Sequence, residues 1–315
     1  MTTRGVGTAS QWVLPLGTAG RDGFDVVVDD ELPGWAHTGL RVVTLAQGRR
    51  VQVPAGPWEH VVVPLSGSAD VDATLVDGST SSASLTGRSS VFAGPTDVVF
   101  APAGCALTVT GTGPASRIAV CAAVVGGAPQ AQFEHLPAAA VPVELRGAGT
   151  ASREVRNFGI PGVLAADAII ACEVITPAGN WSSYPPHKHD EERAGAETEL
   201  EEIYYFECQV EAAHRGADTP VDADPLAYQR VYGAPDRPID VLAEVRTGDV
   251  VLVPHGWHGP AMAPPGYDLY YLNVMAGPGP VRAWLICDDP AHAWVRDSWA
   301  GQDVDPRLRA RGEVR

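Results

Sequence analysis

Two segments far apart in this chain restrict what it can become. The first is Tyr184-Pro185-Pro186-His187-Lys188-His189-Asp190, followed by Glu201-Glu202-Ile203-Tyr204-Tyr205-Phe206. The second is Gly248-Asp249-Val250-Val251-Leu252-Val253-Pro254-His255-Gly256-Trp257-His258. Side chains alternate faces along an extended strand, so His187 and His189 point one way and Lys188 the other. Glu202 opens a β-branched and aromatic run, and its face also carries Tyr204 and Phe206. His258 follows a turn in which Gly256 permits the tight backbone that aims an imidazole inward. Three neutral imidazoles and one carboxylate suit Zn²⁺, Mn²⁺, Fe²⁺, Co²⁺ or Ni²⁺, whereas Ca²⁺ and Mg²⁺ prefer all-oxygen shells. His187, His189, Glu202 and His258 are therefore the predicted ligands of one divalent ion, with zinc first among the candidates. Glu201 is the rival of Glu202, and period-two alternation allows only one of them on the inner face. Alone, the histidine pair reads equally well as a surface feature before a charged loop. Its conjunction with Glu202 and the second segment decides for a metal.

Short apolar runs separated by Gly, Ser and Asp fill the rest of the chain, at 24–28, 40–45, 60–65, 71–75, 97–100, 106–110 and 117–125. They resume at 153–157, 168–176, 203–209, 228–232, 241–245, 250–253 and 269–275. Val and Thr favour strands over helices, and the close spacing predicts an all-β sandwich or barrel. A length of 315 residues suits two domains. The Pro/Ala/Gly-rich stretch 126–149 supplies the boundary. The predicted domains are 1–145, 146–300 and a polar tail, 301–315; residues 1–20 read as a loose lead-in. Residues 282–315 carry Trp284, Trp294 and Trp299, a covering segment. An internal repeat links the halves: Asp97-Val98-Val99-Phe100-Ala101-Pro102-Ala103-Gly104 matches 249–256. Ala106 then stands where His258 stands, and the first half has no His-x-His, so the first domain is expected to keep the fold without the metal.

Composition excludes some partners. A formal charge of −16 argues against nucleic acid and anionic membrane surfaces, which need a basic patch. No apolar run is long enough to span a bilayer and no basic, apolar leader opens the chain. The five separated cysteines predict neither a disulfide framework nor a thiolate zinc site, and a reduced cytoplasmic setting is expected. The carboxylate-rich stretch 190–201 is read first as a solvated loop, and alternatively as a lid over the site.

The ligand layout is that of a cupin metal site, and the second half resembles the 5-deoxy-glucuronate isomerases, a two-cupin family related to the 5-keto-4-deoxyuronate isomerases. The residues that carry this are 182–190, 200–206, 253–258, Asp268-Leu269-Tyr270-Tyr271-Leu272-Asn273-Val274-Met275-Ala276-Gly277 and Asp288-Asp289-Pro290-Ala291-His292-Ala293-Trp294, with Val61-Val62-Val63-Pro64-Leu65-Ser66-Gly67 in the first half. The chain departs from the general cupin pattern in the insertion between the histidine pair and Glu202. It departs again in the single residue between Gly256 and His258, and in Met262 where many cupins have Asn. The resemblance implies two jelly-roll β-barrels in tandem, the second metal-binding. It also implies aldose–ketose isomerisation of 5-deoxy-glucuronate through an enediol, in inositol catabolism. A homo-oligomer is left open.

Such chemistry needs a proton carrier, and the candidates are Tyr204, Tyr271 and Asn273 at inward-facing strand positions, the last able only to orient, or a metal-bound hydroxide. An anionic sugar acid on so acidic a protein needs a local cation, for which Arg153, Arg156, Arg230 and Arg282 are the candidates. Core packing for each tyrosine and a surface position for each arginine are the competing assignments. The alternatives at the level of function are a cupin dioxygenase, since the same ligands hold Fe²⁺ or Ni²⁺, and a non-enzymatic sugar-binding cupin.

Overall fold

The computed structural model describes residues 10–308 except 217 and 218. Its regular structure is almost all β, arranged as two jelly-roll barrels of the cupin type. In the first, Glu134–Leu136, Val98–Ala101, Trp58–Thr74, Ala115–Val124, Thr38–Ala46 and Val26–Val28 lie side by side. The 17-residue strand Trp58–Thr74 then bends to pair with Thr80–Arg88 and Ala106–Gly111 as well. Its register slips between Pro64 and Ser66, a bulge that turns the strand from one wall of the barrel to the other. The second barrel has a seven-stranded wall in the order Val13–Leu14, Val250–Val253, Glu201–Val210, Tyr267–Ala276, Ile170–Thr176, Arg153–Gly159 and Val143–Arg146. The facing wall has six strands and includes His187–Lys188 and Trp257–Met262.

The two barrels are copies in register as well as in outline. His60 sits opposite Ala101 and Glu202 opposite Val253, and Ala101 and Val253 occupy the same place in the sequence repeat. Each copy of that repeat is flanked by a short extra strand. Val13–Leu14 pairs with Val250 and Val251, and Glu134–Leu136 pairs with Val98–Phe100. The described part of the lead-in expected to be loose therefore contributes a strand to the second barrel, while residues 1–9 lie outside the described residues. The second wall also begins at Val143, ahead of residue 146, because Val143–Arg146 pairs with Arg153–Arg156. At the other end, Asn180 Nδ2 donates to Asp305 Oδ2 over 3.0 Å and Arg307 Nη1 donates to Ala178 O over 3.0 Å, so the tail is docked up to Leu308. Residues 309–315 of the predicted tail lie outside the described residues.

Alternation sorts the side chains into two interiors and one shared layer. Tyr204 and Phe206 point into the second barrel, whereas Ile203 and Tyr205 join Val61, Val63, Tyr270 and Leu272 between the barrels. Strands buried on both faces read as continuous apolar runs, which is the pattern of 61–65 and 250–253. Burying each such side chain contributes roughly 1.5–3 kcal/mol.

Charged residues also cross this layer. Arg88 and Arg156 flank the buried Glu173 carboxylate, and Tyr270 Oη donates to Glu173 Oε1 over 2.7 Å. Arg156 is 1 % exposed and bonds Glu154 Oε1 at 2.7 Å, Val91 O at 2.7 Å and Gly94 O at 2.6 Å. It joins the barrels. Arg282 donates to the carbonyls of Ile169, Leu164 and Gly159, each over 2.7 Å, and Arg230 pairs with Asp240 and with the carbonyls of Val231 and Val241. The backbone carbonyl acceptors of these three arginines could not be inferred from sequence.

Candidate metal centre and its cavity

Three backbone carbonyls orient the histidines. His187 Nδ1 lies 3.3 Å from Pro185 O, His189 Nδ1 3.1 Å from Leu200 O, and His258 Nδ1 3.2 Å from Gly256 O. A carbonyl only accepts, so each Nδ1 carries the hydrogen, and each Nε2 presents a lone pair whenever the ring is neutral. His189 Nε2 lies 3.1 Å and His258 Nε2 3.0 Å from Glu202 Oε2. The His258 nitrogen is buried and too misaligned to form a hydrogen bond. Lone pairs facing a buried carboxylate repel unless a cation lies between them. That arrangement fits a divalent ion, and His189, Glu202 and His258 have donor atoms all within 4.8 Å of one another. His187 is adjacent: its ring centroid is 4.5 Å from that of His258, and strand pairing sets the two residues opposite each other.

The electrostatics agree. Burial pushes Glu202 up, but His258 and His189 outweigh it and bring the carboxyl down to about 2. Burial pushes His189 down, and the hydrogen bond and charge of Glu202 reverse this, raising its affinity for a proton. A proton there stands where a cation belongs. His187 is lowered well below the usual range by burial and by its two histidine neighbours.

Glu201, the rival carboxylate, faces the other way. It accepts from the backbone N–H groups of Ala36, His37 and Thr38 at 3.2, 2.7 and 2.6 Å. The loop 190–201 is solvated at 191–196, and none of its residues lines the site cavity. Lys188 Nζ donates to Glu197 Oε1 over 2.9 Å, and Asp190 Oδ2 accepts from Gly256 N at 2.8 Å, which fixes the turn preceding His258.

A cavity of about 480 Å³ opens on Glu202 and His187. Tyr204, Tyr271 and Asn273 all line it, as does Arg153. Sequence reasoning missed Ser183, whose Oγ lies 3.2 Å from Tyr204 Oη and 3.1 Å from Tyr271 Oη. Ser183 takes a left-handed φ of 48°, and Gly259, at φ 96°, passes so close that a Cβ there would sit 1.7 Å from Ser183 O. Only glycine lets the Ser183 and His258 segments approach this closely. Arg146 and Arg296 were missed as well, while Trp284 and Trp299 belong to the segment expected to cover the site. They also line the cavity, so the tryptophan-bearing segment does cover the site, although Trp294 is exposed.

Known proteins extend this picture. A 5-deoxy-glucuronate isomerase from Geobacillus kaustophilus is 39% identical over 290 residues, covering 92% of this chain and 96% of that protein. One from Shouchella clausii is 37% identical over 260 residues, 82% of this chain and 88% of its own. Among solved structures, an IolB-like protein from Salmonella typhimurium superposes with a TM-score of 0.76 at 33% identity, covering 90% of this chain and 98% of that one. Oxalate decarboxylase from Lactobacillus farciminis, at 13% identity and a TM-score of 0.61 over 90% of both chains, shares the fold alone. The KduI/IolB family model matches residues 13–295, and the chain belongs to that family.

Proposed function

We infer that the protein is an isomerase that converts 5-deoxy-D-glucuronate to 5-dehydro-2-deoxy-D-gluconate, a step of inositol catabolism. The observation that carries this reading is 39% identity over 92% of the chain to an isomerase of that name. The reaction moves a proton from C2 to C1 of a 2-hydroxy aldehyde, and the hydroxyl proton from O2 to O1. His187, His189, Glu202 and His258 are the proposed ligands of a divalent ion, zinc first, with manganese, iron, cobalt or nickel also compatible. Such an ion, when bound, supplies Lewis-acid polarisation of the substrate's oxygens.

The other side chains handle protons and position. Burial pushes Tyr271 up to about 12 and Tyr204 well above the phenol range. Both stay protonated at neutral pH, so they donate to substrate oxygens and do not take the proton from carbon. Ser183 joins the two hydroxyls and offers a path between O1 and O2. Asn273 donates from Nδ2 to Ile203 O over 3.4 Å, which leaves its carbonyl oxygen to orient a substrate hydroxyl.

The direct test is incubation of metal-replete protein with 5-deoxy-glucuronate in deuterated water, followed by NMR. Ketose carrying deuterium at C1, with no oxygen uptake, is the expected result. No conversion with any of the five ions would overturn the assignment, and oxygen consumption would favour a dioxygenase.

A further inference from the structure

One guanidinium in the cavity wall lacks an anionic partner. Arg153 is 9 % exposed, and its one described hydrogen bond runs from Nη1 to Ala151 O over 3.1 Å. No described carboxylate pairs with it. Two further arginines share this wall, each already matched. Arg146 Nη2 lies 2.8 Å from Glu144 Oε2, and Arg296 Nη2 donates to Asp288 Oδ1 over 2.7 Å. Tryptophans hold all three. Arg153 and Arg296 lie over the same Trp299 ring, 5.8 and 5.4 Å from its centroid, and Arg146 lies 5.4 Å from that of Trp284. Cation–π contact fixes a planar fork without neutralising its charge.

The charges sum simply. Within this arginine cluster, three guanidinium cations and two carboxylates leave one positive charge, and it belongs to the most buried of the three; Glu202 and the divalent ion proposed on it belong to the same cavity but not to the cluster. A buried charge without a partner is unfavourable, and a bidentate carboxylate relieves it. Burial, followed by Arg146 and Arg296, lowers Arg153 to about 10, the direction expected of a cation awaiting an anion. This end of the cavity comes from three separate segments: the strand Val143–Arg146, the strand Arg153–Gly159 and the helical turn Ala293–Trp299.

We propose that Arg153 is a specificity determinant that binds the carboxylate of a monoanionic sugar acid, and that the single unmatched charge of this arginine cluster selects carboxylate over dianionic phosphate. This rests on the isomerase reading for the identity of the substrate but not for the existence of the anion site.

The test uses binding by unreactive six-carbon probes. D-gluconate, D-sorbitol and D-sorbitol 6-phosphate carry one, no and two negative charges, and calorimetry on the metal-replete full chain ranks them. Gluconate is expected to bind at least tenfold more tightly than either of the others. Arg153→Gln should abolish that preference, and Arg153→Lys, which keeps the charge and loses the fork, should retain part of it. Glu144→Gln raises the net charge to two and should improve sorbitol 6-phosphate binding at least fivefold. In turnover, Arg153→Gln should raise KM for 5-deoxy-glucuronate at least tenfold and change kcat less than threefold. Gluconate affinity unchanged in a folded Arg153→Gln or Arg153→Lys variant overturns the proposal, as does wild-type preference for the phosphate. If gluconate binds through Arg153 while 5-deoxy-glucuronate is not isomerised, the anion site stands and the isomerase reading falls.

Discussion

The two barrels share strand order and register, and differ at the few positions that decide whether a jelly roll holds a metal. His60 occupies the place of Glu202; in the sequence repeat Ala106 falls where His258 stands, and in the folded barrel the neighbouring Leu107 is the side chain that faces the interior there. In the first barrel these changes accompany an interior of Val62, Val71, Leu85, Val99, Leu107 and Val109. The second keeps a cavity and a buried polar cluster, and gives up packing there. Yet both retain one device unchanged. Glu59 of the first barrel accepts from the backbone N–H groups of Asp167, Ala168 and Ile169, and Glu201 of the second accepts from Ala36, His37 and Thr38. The joint is the same in both barrels, and among the described residues only the second carries the candidate ligand set. The joint needs both halves; the chemistry needs one.

The sharpest way to break this contrast is to exchange its key position. Glu202→Gln removes the carboxylate that faces His189 and His258 without changing shape. Metal retention should fall at least about a hundredfold, and activity should fall with it to near background, as ligand loss exceeds the ten- to hundredfold effect of outer-shell changes. His60→Leu, the matching substitution in the first barrel, should leave metal content and turnover unchanged. Metal analysis of the purified variants together with the NMR assay decides it, and loss of metal from the His60 variant would show that the first barrel also has a site.

Arg156 sharpens the contrast between joint and site. It carries no cavity contact, and its guanidinium serves Glu154, Val91 and Gly94 across the layer. Arg156→Ala leaves Glu173 and Glu154 short of a buried partner, so a loss of roughly 3–5 kcal/mol of stability is expected. KM should be nearly unaffected in the fraction that folds. Denaturant midpoints beside kinetics at low temperature separate the two; a raised KM at unchanged stability would return Arg156 to the site.

These cases mark what could be seen in the sequence. The proposed metal ligands were visible as candidates because strand alternation is local: His187 and His189 share a face, and Glu202 shares one with Tyr204 and Phe206. The repeat was legible because 97–104 and 249–256 keep the same apolar spacing. The arginines were not. Whether Arg153 or Arg156 meets the cavity depends on which wall of the barrel each side chain faces, and both faces of that strand are buried. The strand Thr80–Arg88 escaped notice because Leu85 alone is buried among its serines and threonines. Ser183 gave no signal, since its role depends on two tyrosines from different strands meeting at one hydroxyl.

His60 offers a smaller effect that still separates the barrels. It is 1 % exposed with Nδ1 unpaired, and burial, then Arg41, brings it down to about 3. The folded form thus holds the neutral ring below the pH at which the unfolded chain, near 6.5, takes up a proton. The unfolded state binds more protons between those values, so stability is complete above about pH 6.5 and declines as pH falls toward 3. By pH 5 the loss is about 2 kcal/mol. His60→Gln should flatten that part of the profile, read from urea midpoints between pH 5 and 7.5. An identical slope in the variant would assign the acid sensitivity elsewhere.

The least disruptive test addresses what the barrels have in common. Glu59 and Glu201 each accept three backbone N–H groups from the other barrel, and Glu201 also accepts from Thr38 Oγ1 at 3.0 Å. Burial pushes Glu59 up while those three donors pull it down. A carboxylate in such a nest makes charge-assisted bonds that an amide only partly replaces. Glu59→Gln and Glu201→Gln should each lower stability by about 1–2 kcal/mol. If the joint works as a pair of equivalent clasps, the two losses should match to within about 0.5 kcal/mol and add in the double variant, since the clasps share no partner. A much larger loss from Glu201→Gln, accompanied by falling activity, would mean that its neighbour Glu202 depends on this anchor for its aim. The two copies would then differ in their joint as well as in their ligands.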